Sequence, residues 1–211
     1  DIGCGCGGAA IHLIKKHAAK SVIGIDVESL VIKKAEELAA KHNLFNFTDF
    51  RCVKPGPLDI SDETVDIVFS KEVFLHFPNK EYLLKDIYRV LKPKGMIVVS
   101  DWMRVDDNPP SKQMQEYIAA EGLDMHMCSL KNYEQLLKNT GFTDITLTDR
   151  NAWYLDKAKQ ELADIEGSLK KKVIDVIGLE ETNGAIDIWK KLIGVLEIGE
   201  HRPGHFRAIK K

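Results

Sequence analysis

The chain has 211 residues, of which 44% are hydrophobic and 29% charged, and its 30 Lys and Arg against 32 Asp and Glu leave a formal charge of -2. That length fills one core but not two, the composition is globular, and no apolar run approaches the ~20 residues that cross a bilayer. Near-neutral charge gives no electrostatic reason to bind nucleic acid in general. The expectation is one domain over residues 1–211, with no nucleic-acid or membrane partner, as monomer or homodimer. Cys4, Cys6, Cys52 and Cys128 form no CxxC, so no metal site is expected, and reduced thiols suit a cytoplasmic protein. The chain opens at Asp1 on what reads as the end of a strand, which predicts further residues upstream.

Apolar runs alternating with amphipathic segments follow one another as in an α/β parallel sheet. Ala9 to Ala19 is an apolar helix, Ser21 to Asp26 a buried strand ending in an acid, and Ser29 to His42 a helix with Leu30, Val31, Ala35, Leu38 and Ala39 at helical spacing. Phe47 to Val53 reads as a strand stopped by Pro55-Gly56-Pro57, and Val65 to Ser70 as the next. Lys80 to Leu91 carries one apolar helix face and is broken by Lys92-Pro93-Lys94-Gly95. Gly95 to Asp101 is a strand, Asn108 to Ser111 a loop before another helix, Leu130 to Thr140 a helix ended by Gly141, and Thr143 to Thr148 a strand. Residues 152–198 have helical periodicity and are too long for a simple loop. They read as extra helical packing or, given Trp153, Tyr154 and Trp189, as a lid; His205 to Ile209 follows as the last strand.

The most informative stretch is Asp1-Ile2-Gly3-Cys4-Gly5-Cys6-Gly7-Gly8 ahead of the first helix. A strand-to-helix turn built almost without side chains lets a ligand approach backbone amides at a helix N-terminus. Gly3, Gly5 and Gly8 satisfy the G-x-G-x-x-G spacing of dinucleotide sites, so an NAD-dependent oxidoreductase stays open, as does a cofactor-binding protein without turnover. Asp1 argues against the dinucleotide, since a carboxylate there repels a pyrophosphate and suits an ammonium group. Asp26, 18 residues after Gly8, can accept hydrogen bonds from both hydroxyls of a ribose.

With these residues the sequence resembles the class I S-adenosylmethionine-dependent methyltransferases, whose first motif runs acid-x-Gly-x-Gly-x-Gly and whose second strand ends in a ribose-binding acid. Val65 to Ser70, Arg89 to Gly95 and Asp101 match further blocks, so the resemblance covers most of residues 1–148. It implies a Rossmann-like, doubly wound, mostly parallel seven-stranded sheet with a helical insertion before the last strand. It also implies S-adenosyl-L-methionine as cofactor, held by Asp1, Gly3, Gly5, Gly7, Asp26 and Ser70, with Val53 and Lys54 beside the adenine. Lys54 stands where the family often has an Asp, so backbone groups of Cys52 to Pro55 take over the adenine contact in this reading.

Methyl transfer from a sulfonium is an in-line displacement, and an amine acceptor must lose a proton to react. Glu72 and His76 stand four residues apart after the fourth strand, a spacing that puts both on one face if the turn is helical. Ser70 to Phe77 and Tyr117-Ile118 resemble the phosphoethanolamine N-methyltransferases, whose acid and histidine at the places of Glu72 and His76 shape the active site. The resemblance puts Tyr117 in the substrate site and Trp102 where the subfamily has a tyrosine. Glu121 and Leu123 replace an Arg and a Tyr of that pattern, and the Arg contacts phosphate, which counts against a phosphobase. Trp102, Tyr117, Trp153 and Tyr154 could enclose a methylated ammonium by cation–π contacts, and Arg104, Arg150, Arg202 and Arg207 are candidates for an anionic group. The expected activity is methylation of a small molecule at an amine nitrogen.

Overall fold

The computed structural model describes all 211 residues. In chain order they form α1 (Gly8–His17), β1 (Val22–Asp26), α2 (Ser29–Lys41), β2 (Thr48–Cys52), β3 (Val65–Lys71), α3 (Lys80–Val90), β4 (Leu91–Asp101), α4 (Lys112–Glu121), α5 (Leu130–Thr140), β5 (Phe142–Asp149), α6 (Asn151–Glu166), α7 (Lys170–Ile177), α8 (Leu179–Glu197) and β6 (Gly204–Lys210). The chain divides into two compact units. One comprises Asp1–Asp101, Leu136–Thr146 and Phe206–Lys211, the other Trp102–Gln135 and Leu147–His205.

The first unit is the α/β part. β1 pairs in parallel with β2, β3 pairs in parallel with β4, and the latter ladder continues in the order β3-β4-β6-β5. Six strands form, where seven are expected. Ile2 holds the seventh place, bridging in parallel to Ile25 of β1 and to Ser70 of β3. Gly3, at φ 71, turns the chain out of the sheet one residue later, so this pairing does not extend. Ile2 N donates to Phe69 O at 2.9 Å, Gly3 N to Ile25 O at 2.8 Å and Ile25 N to Asp1 O at 2.9 Å.

The expected break at Lys92-Pro93-Lys94-Gly95 lies inside β4 as a bulge. Val65 faces Leu91 and Ile67 faces Met96, so the one residue between them on β3, Asp66, stands against four on β4, and Lys94 takes φ 64. α3 begins at Asn79, whose side chain accepts from Tyr82 N at 2.9 Å, and it buries Leu83, Leu84, Ile87 and Val90, the apolar face read from the sequence. Cys4, Ala10, Val22, Ile32, Ala35, Ala39 and Phe50 close a core between α1, α2 and the β1–β2 pair.

The second unit is helical. The stretch 152–198, expected to be helical, is taken up by α6, α7 and α8, which run from Asn151 to Glu197. Met114 and Tyr117 of α4 pack with Ala158 of α6 and with Leu192, Val195 and Leu196 of α8, and Trp102, Tyr154 and Trp189 lie against this core. α7 buries none of its residues and leaves Val176 75% exposed. No helix is long and apolar enough to cross a membrane.

Candidate cofactor and acceptor sites

Three residues of the glycine loop, Gly3, Gly5 and Gly7, have φ of 71, 50 and 76°. L-residues with a Cβ reach that region only at a cost, and two of these positions are also closed sterically. A Cβ on Gly3 would overlap the Val73 side chain, and one on Gly7 would meet Phe50 Cζ at 2.8 Å and Ala35 Cβ at 3.0 Å. Gly7 caps α1, so the turn delivers the chain straight into the helix N-terminus.

Asp26, at the end of β1, holds this loop in shape. Its Oδ2 accepts from Gly5 N at 2.9 Å and its Oδ1 from Glu28 N at 3.0 Å. Each oxygen keeps a lone pair, so the carboxylate can still accept from hydroxyl groups. Val53 follows β2 and donates its amide to Asp26 O at 2.9 Å, which fixes the edge where Val53 and the exposed Lys54 are expected beside the adenine. Ser70 is buried and gives its hydroxyl proton to Ile2 O at 2.9 Å, so its side chain anchors the start of the loop. Asp1 keeps one carboxylate oxygen, Oδ2, buried with no hydrogen-bond partner. Burial, and secondarily the Asp26 carboxylate, pushes the neighbouring Cys4 thiol up to about 11, so Cys4 stays protonated and packs as an apolar residue.

Glu72 and His76 do not share a helical face. Glu72 sits at φ 58, and a 3-10 turn forms only over Phe74–His76, with His76 N donating to Val73 O at 3.0 Å. Phe74 and Leu75 are drawn into the core, which tightens the turn and leaves both polar side chains exposed. Glu72 pairs with Lys71 at 3.2 Å.

In the second unit the structure brings together Trp102, Tyr117 and Tyr154, and the common partner of Trp102 and Tyr117 is His201, which sequence reasoning missed. The imidazole stacks on Trp102 with centroids 4.8 Å apart and planes 8° from parallel, and Tyr117 lies tilted 5.2 Å away. Tyr154 meets Trp102 edge-on at 4.8 Å. Trp153 sits at the margin: its ring lies 6.1 Å from that of Tyr154, but it is 54% exposed and carries the Arg150 guanidinium 4.3 Å above its ring. His201 lies in the polar run Glu200-His201-Arg202-Pro203-Gly204, 99 residues from Trp102 in sequence, where no local pattern singles it out.

Beside this cluster, Arg104 and Glu200 form a buried ion pair of 2.9 Å, side chains 9% and 11% exposed. Arg104 also donates to Asn108 O at 2.6 Å, and Glu200 accepts from Ser111 N at 2.9 Å and from the Ser111 hydroxyl. Burial pushes the Glu200 carboxyl up, but the Ser111 hydrogen bonds and Arg104 outweigh it and hold Glu200 below the usual carboxylate range. Arg104 is therefore occupied, and Arg202 is paired with Asp149 at 2.8 Å. Of the four arginines considered for an anionic ligand, Arg150, whose guanidinium lies over Trp153, and Arg207, exposed in the first unit, remain without an ion pair.

Residues 1–165 match the family described as a methyltransferase domain. Phosphoethanolamine N-methyltransferase 1 of Arabidopsis thaliana is 30% identical over 210 residues, which is 100% of this chain and 41% of that protein. The chain spans about two fifths of the length of the curated relatives it matches first, 40–41% in each case. Among solved structures, phosphoethanolamine N-methyltransferase 2 of Haemonchus contortus, in complex with phosphomonomethylethanolamine and S-adenosylhomocysteine, superposes with TM-score 0.90 at 23% identity, over 100% of this chain and 48% of that one. Geranyl diphosphate C-methyltransferase of Streptomyces coelicolor, with S-adenosylhomocysteine bound, gives TM-score 0.81 at 16% identity over 100% and 70%.

The loop fits S-adenosylmethionine on its own evidence. Asp1 Oδ2 is a buried, unpartnered anion of the kind that suits an ammonium, a Cβ on Gly5 or Gly8 would meet nothing within 4 Å, and Asp26 has lone pairs to spare. The fold is the Rossmann-like α/β fold of the class I S-adenosylmethionine-dependent methyltransferases, and the chain belongs to the methyltransferase-domain family.

Proposed function

We propose that this chain performs S-adenosylmethionine-dependent methyl transfer to a small amine. The observation that carries the reading is the glycine loop closed onto Asp26 by the Gly5 amide, a ligand cradle of backbone and carboxylates in a chain of the methyltransferase family. When bound, the cofactor supplies an electrophilic methyl group on a sulfonium. The chain's own residues orient and deprotonate. Asp1 Oδ2 holds an ammonium, Asp26 holds vicinal hydroxyls, and Val53 and Lys54 border the adenine. His76 takes the proton that an ammonium acceptor must lose, and Glu72 stands as the charged group two residues before the turn that carries it.

An amine acceptor is supported by the relatives named phosphoethanolamine N-methyltransferase and by the aromatic side chains gathered in the second unit. Glu121 and Leu123 replace the Arg and Tyr of the subfamily pattern, and Arg104 is spent on Glu200. Among amines, those without phosphate suit the chain better. The test is calorimetric titration with S-adenosylmethionine followed by an acceptor panel of amines, phosphorylated amines, phenols, acids and thiols, scored by S-adenosylhomocysteine formed. Turnover on an unphosphorylated amine supports the reading. Cofactor binding with no product from any acceptor would leave a binding protein, and NADH binding without a response to S-adenosylmethionine would return the oxidoreductase.

A further inference from the structure

His201 is fully buried, yet neither ring nitrogen makes a well-formed hydrogen bond, the Met103 carbonyl being the one acceptor close by. Buried polar groups are nearly always paired, and even with the Met103 carbonyl near enough to draw on one ring N–H, the imidazole keeps a second nitrogen idle inside an aromatic cluster, which needs a reason. A packing role alone would be served better by Phe, which stacks equally well and leaves nothing unsatisfied. The indole N–H of Trp189, in the same cluster, is likewise buried without a partner. Two buried polar groups without well-formed hydrogen bonds thus lie in the one cluster that holds Trp102, Tyr117 and Tyr154, which is the composition of an amphipathic binding surface.

We propose that His201 is the hydrogen-bond acceptor for the N–H of an organic ammonium held on the aromatic faces of Trp102 and Tyr117, with the Trp189 N–H available to an oxygen of the same ligand. This rests on the amine reading above and deepens it. The electrostatics agree with the role. Burial first, and Arg104 after it, lowers His201 to about 3 against the weaker opposing pull of the Met103 carbonyl and Glu200. The ring is therefore neutral in ordinary buffers and offers a lone pair, which a protonated imidazole would not. A ligand on these faces changes the surroundings of the Trp102 indole, so tryptophan fluorescence reports the event.

The consequence is a site that counts N–H bonds. An ammonium with one N–H left makes both the cation–π contact and the hydrogen bond, whereas a quaternary ammonium of nearly the same shape makes only the first. Such a site holds each partly methylated amine and releases the quaternary one.

The experiment compares dimethylethanolamine, protonated at pH 7, with choline, on the whole chain loaded with S-adenosylhomocysteine, by calorimetry and by tryptophan fluorescence. The wild type should bind dimethylethanolamine roughly tenfold more tightly than choline, and His201→Phe should make the two equal while choline affinity hardly moves. Equal affinities in the wild type, no binding of either amine, or a preference that survives in His201→Phe would overturn the proposal. If His201→Phe does not fold, the ring nitrogens of His201 in the labelled wild-type protein are read by NMR. A nitrogen shift on adding dimethylethanolamine, absent with choline, supports the acceptor role, and an unmoved resonance sinks it. S-adenosylhomocysteine affinity, measured on the same samples, reports separately on the cofactor reading.

Discussion

The two units hold their buried charges in different ways. In the first, the Asp26 carboxylate is tied by backbone amides of Gly5 and Glu28, 21 and 2 residues away. In the second, Glu200 is tied by Arg104 and Ser111, 96 and 89 residues away. A site made from a strand, a turn and the helix after it is written in consecutive residues, because backbone geometry does the positioning. A site made from side chains that meet across helices is fixed by packing, and its members look ordinary where they stand in sequence. The first kind should tolerate changes of side chain and fail on changes of backbone; the second kind should do the reverse.

The largest effect is expected from breaking the side-chain arrangement. Glu200→Ala leaves Arg104 buried without its counter-ion and removes the acceptor for Ser111, and should cost about 3–5 kcal/mol of stability by denaturant unfolding. Gly3→Ala attacks the backbone arrangement: its positive φ and the overlap with Val73 should cost about 2–3 kcal/mol and weaken cofactor binding together. Asp26→Ala removes a charge-assisted acceptor and should weaken S-adenosylmethionine binding by about 1–3 kcal/mol in a calorimetric titration; unchanged affinity would strip Asp26 of its ligand role.

A pH series separates the units again. His201 is depressed to about 3 in the folded chain, so it contributes stability that is present above about 6.5 and is lost as the pH falls toward 3, because only the unfolded chain takes up the proton. Arg104, Glu200 and Tyr117 lie around it, and Glu200, held low in the folded chain, adds a second loss as the pH falls through its lowered range. His201→Phe should flatten the first part of that acid loss and keep the second; an unaltered profile would mean that His201 is not the group responsible. The smallest effect is expected at the surface: Val176→Asp on α7, 75% exposed, should change stability by less than about 0.5 kcal/mol.

The same contrast explains what could be read from the sequence. The glycine loop, the acid ending β1, the apolar face of α3 and the helical character of residues 152–198 are local patterns, and each formed as expected. The turn after β3 was misjudged because i and i+4 spacing was taken for a helical face, while Phe74 and Leu75 sink into the core and force a 3-10 turn with Glu72 at φ 58. Trp153 does meet Tyr154, ring to ring at 6.1 Å, but neighbours along a helix point about 100° apart, so most of its indole faces solvent under Arg150. His201 had no local signal at all. A buried histidine shows itself only once Trp102 and Tyr117 are seen around it.

Ile2 carries a further consequence, one that concerns time as well as shape. It bridges to both Ile25 and Ser70, and the very next residue opens the glycine loop. The amides of Ile2, Gly3 and Cys4 are all donated to β1 or β3, to Phe69 O and to Ile25 O. Any sliding of β1 against β3 therefore pulls on the loop within one residue, with no slack to absorb it. A ligand that stiffens the loop must in turn lock the two strands together, so cofactor binding should slow amide hydrogen exchange along Ile25 and Ser70 as well as in the loop itself.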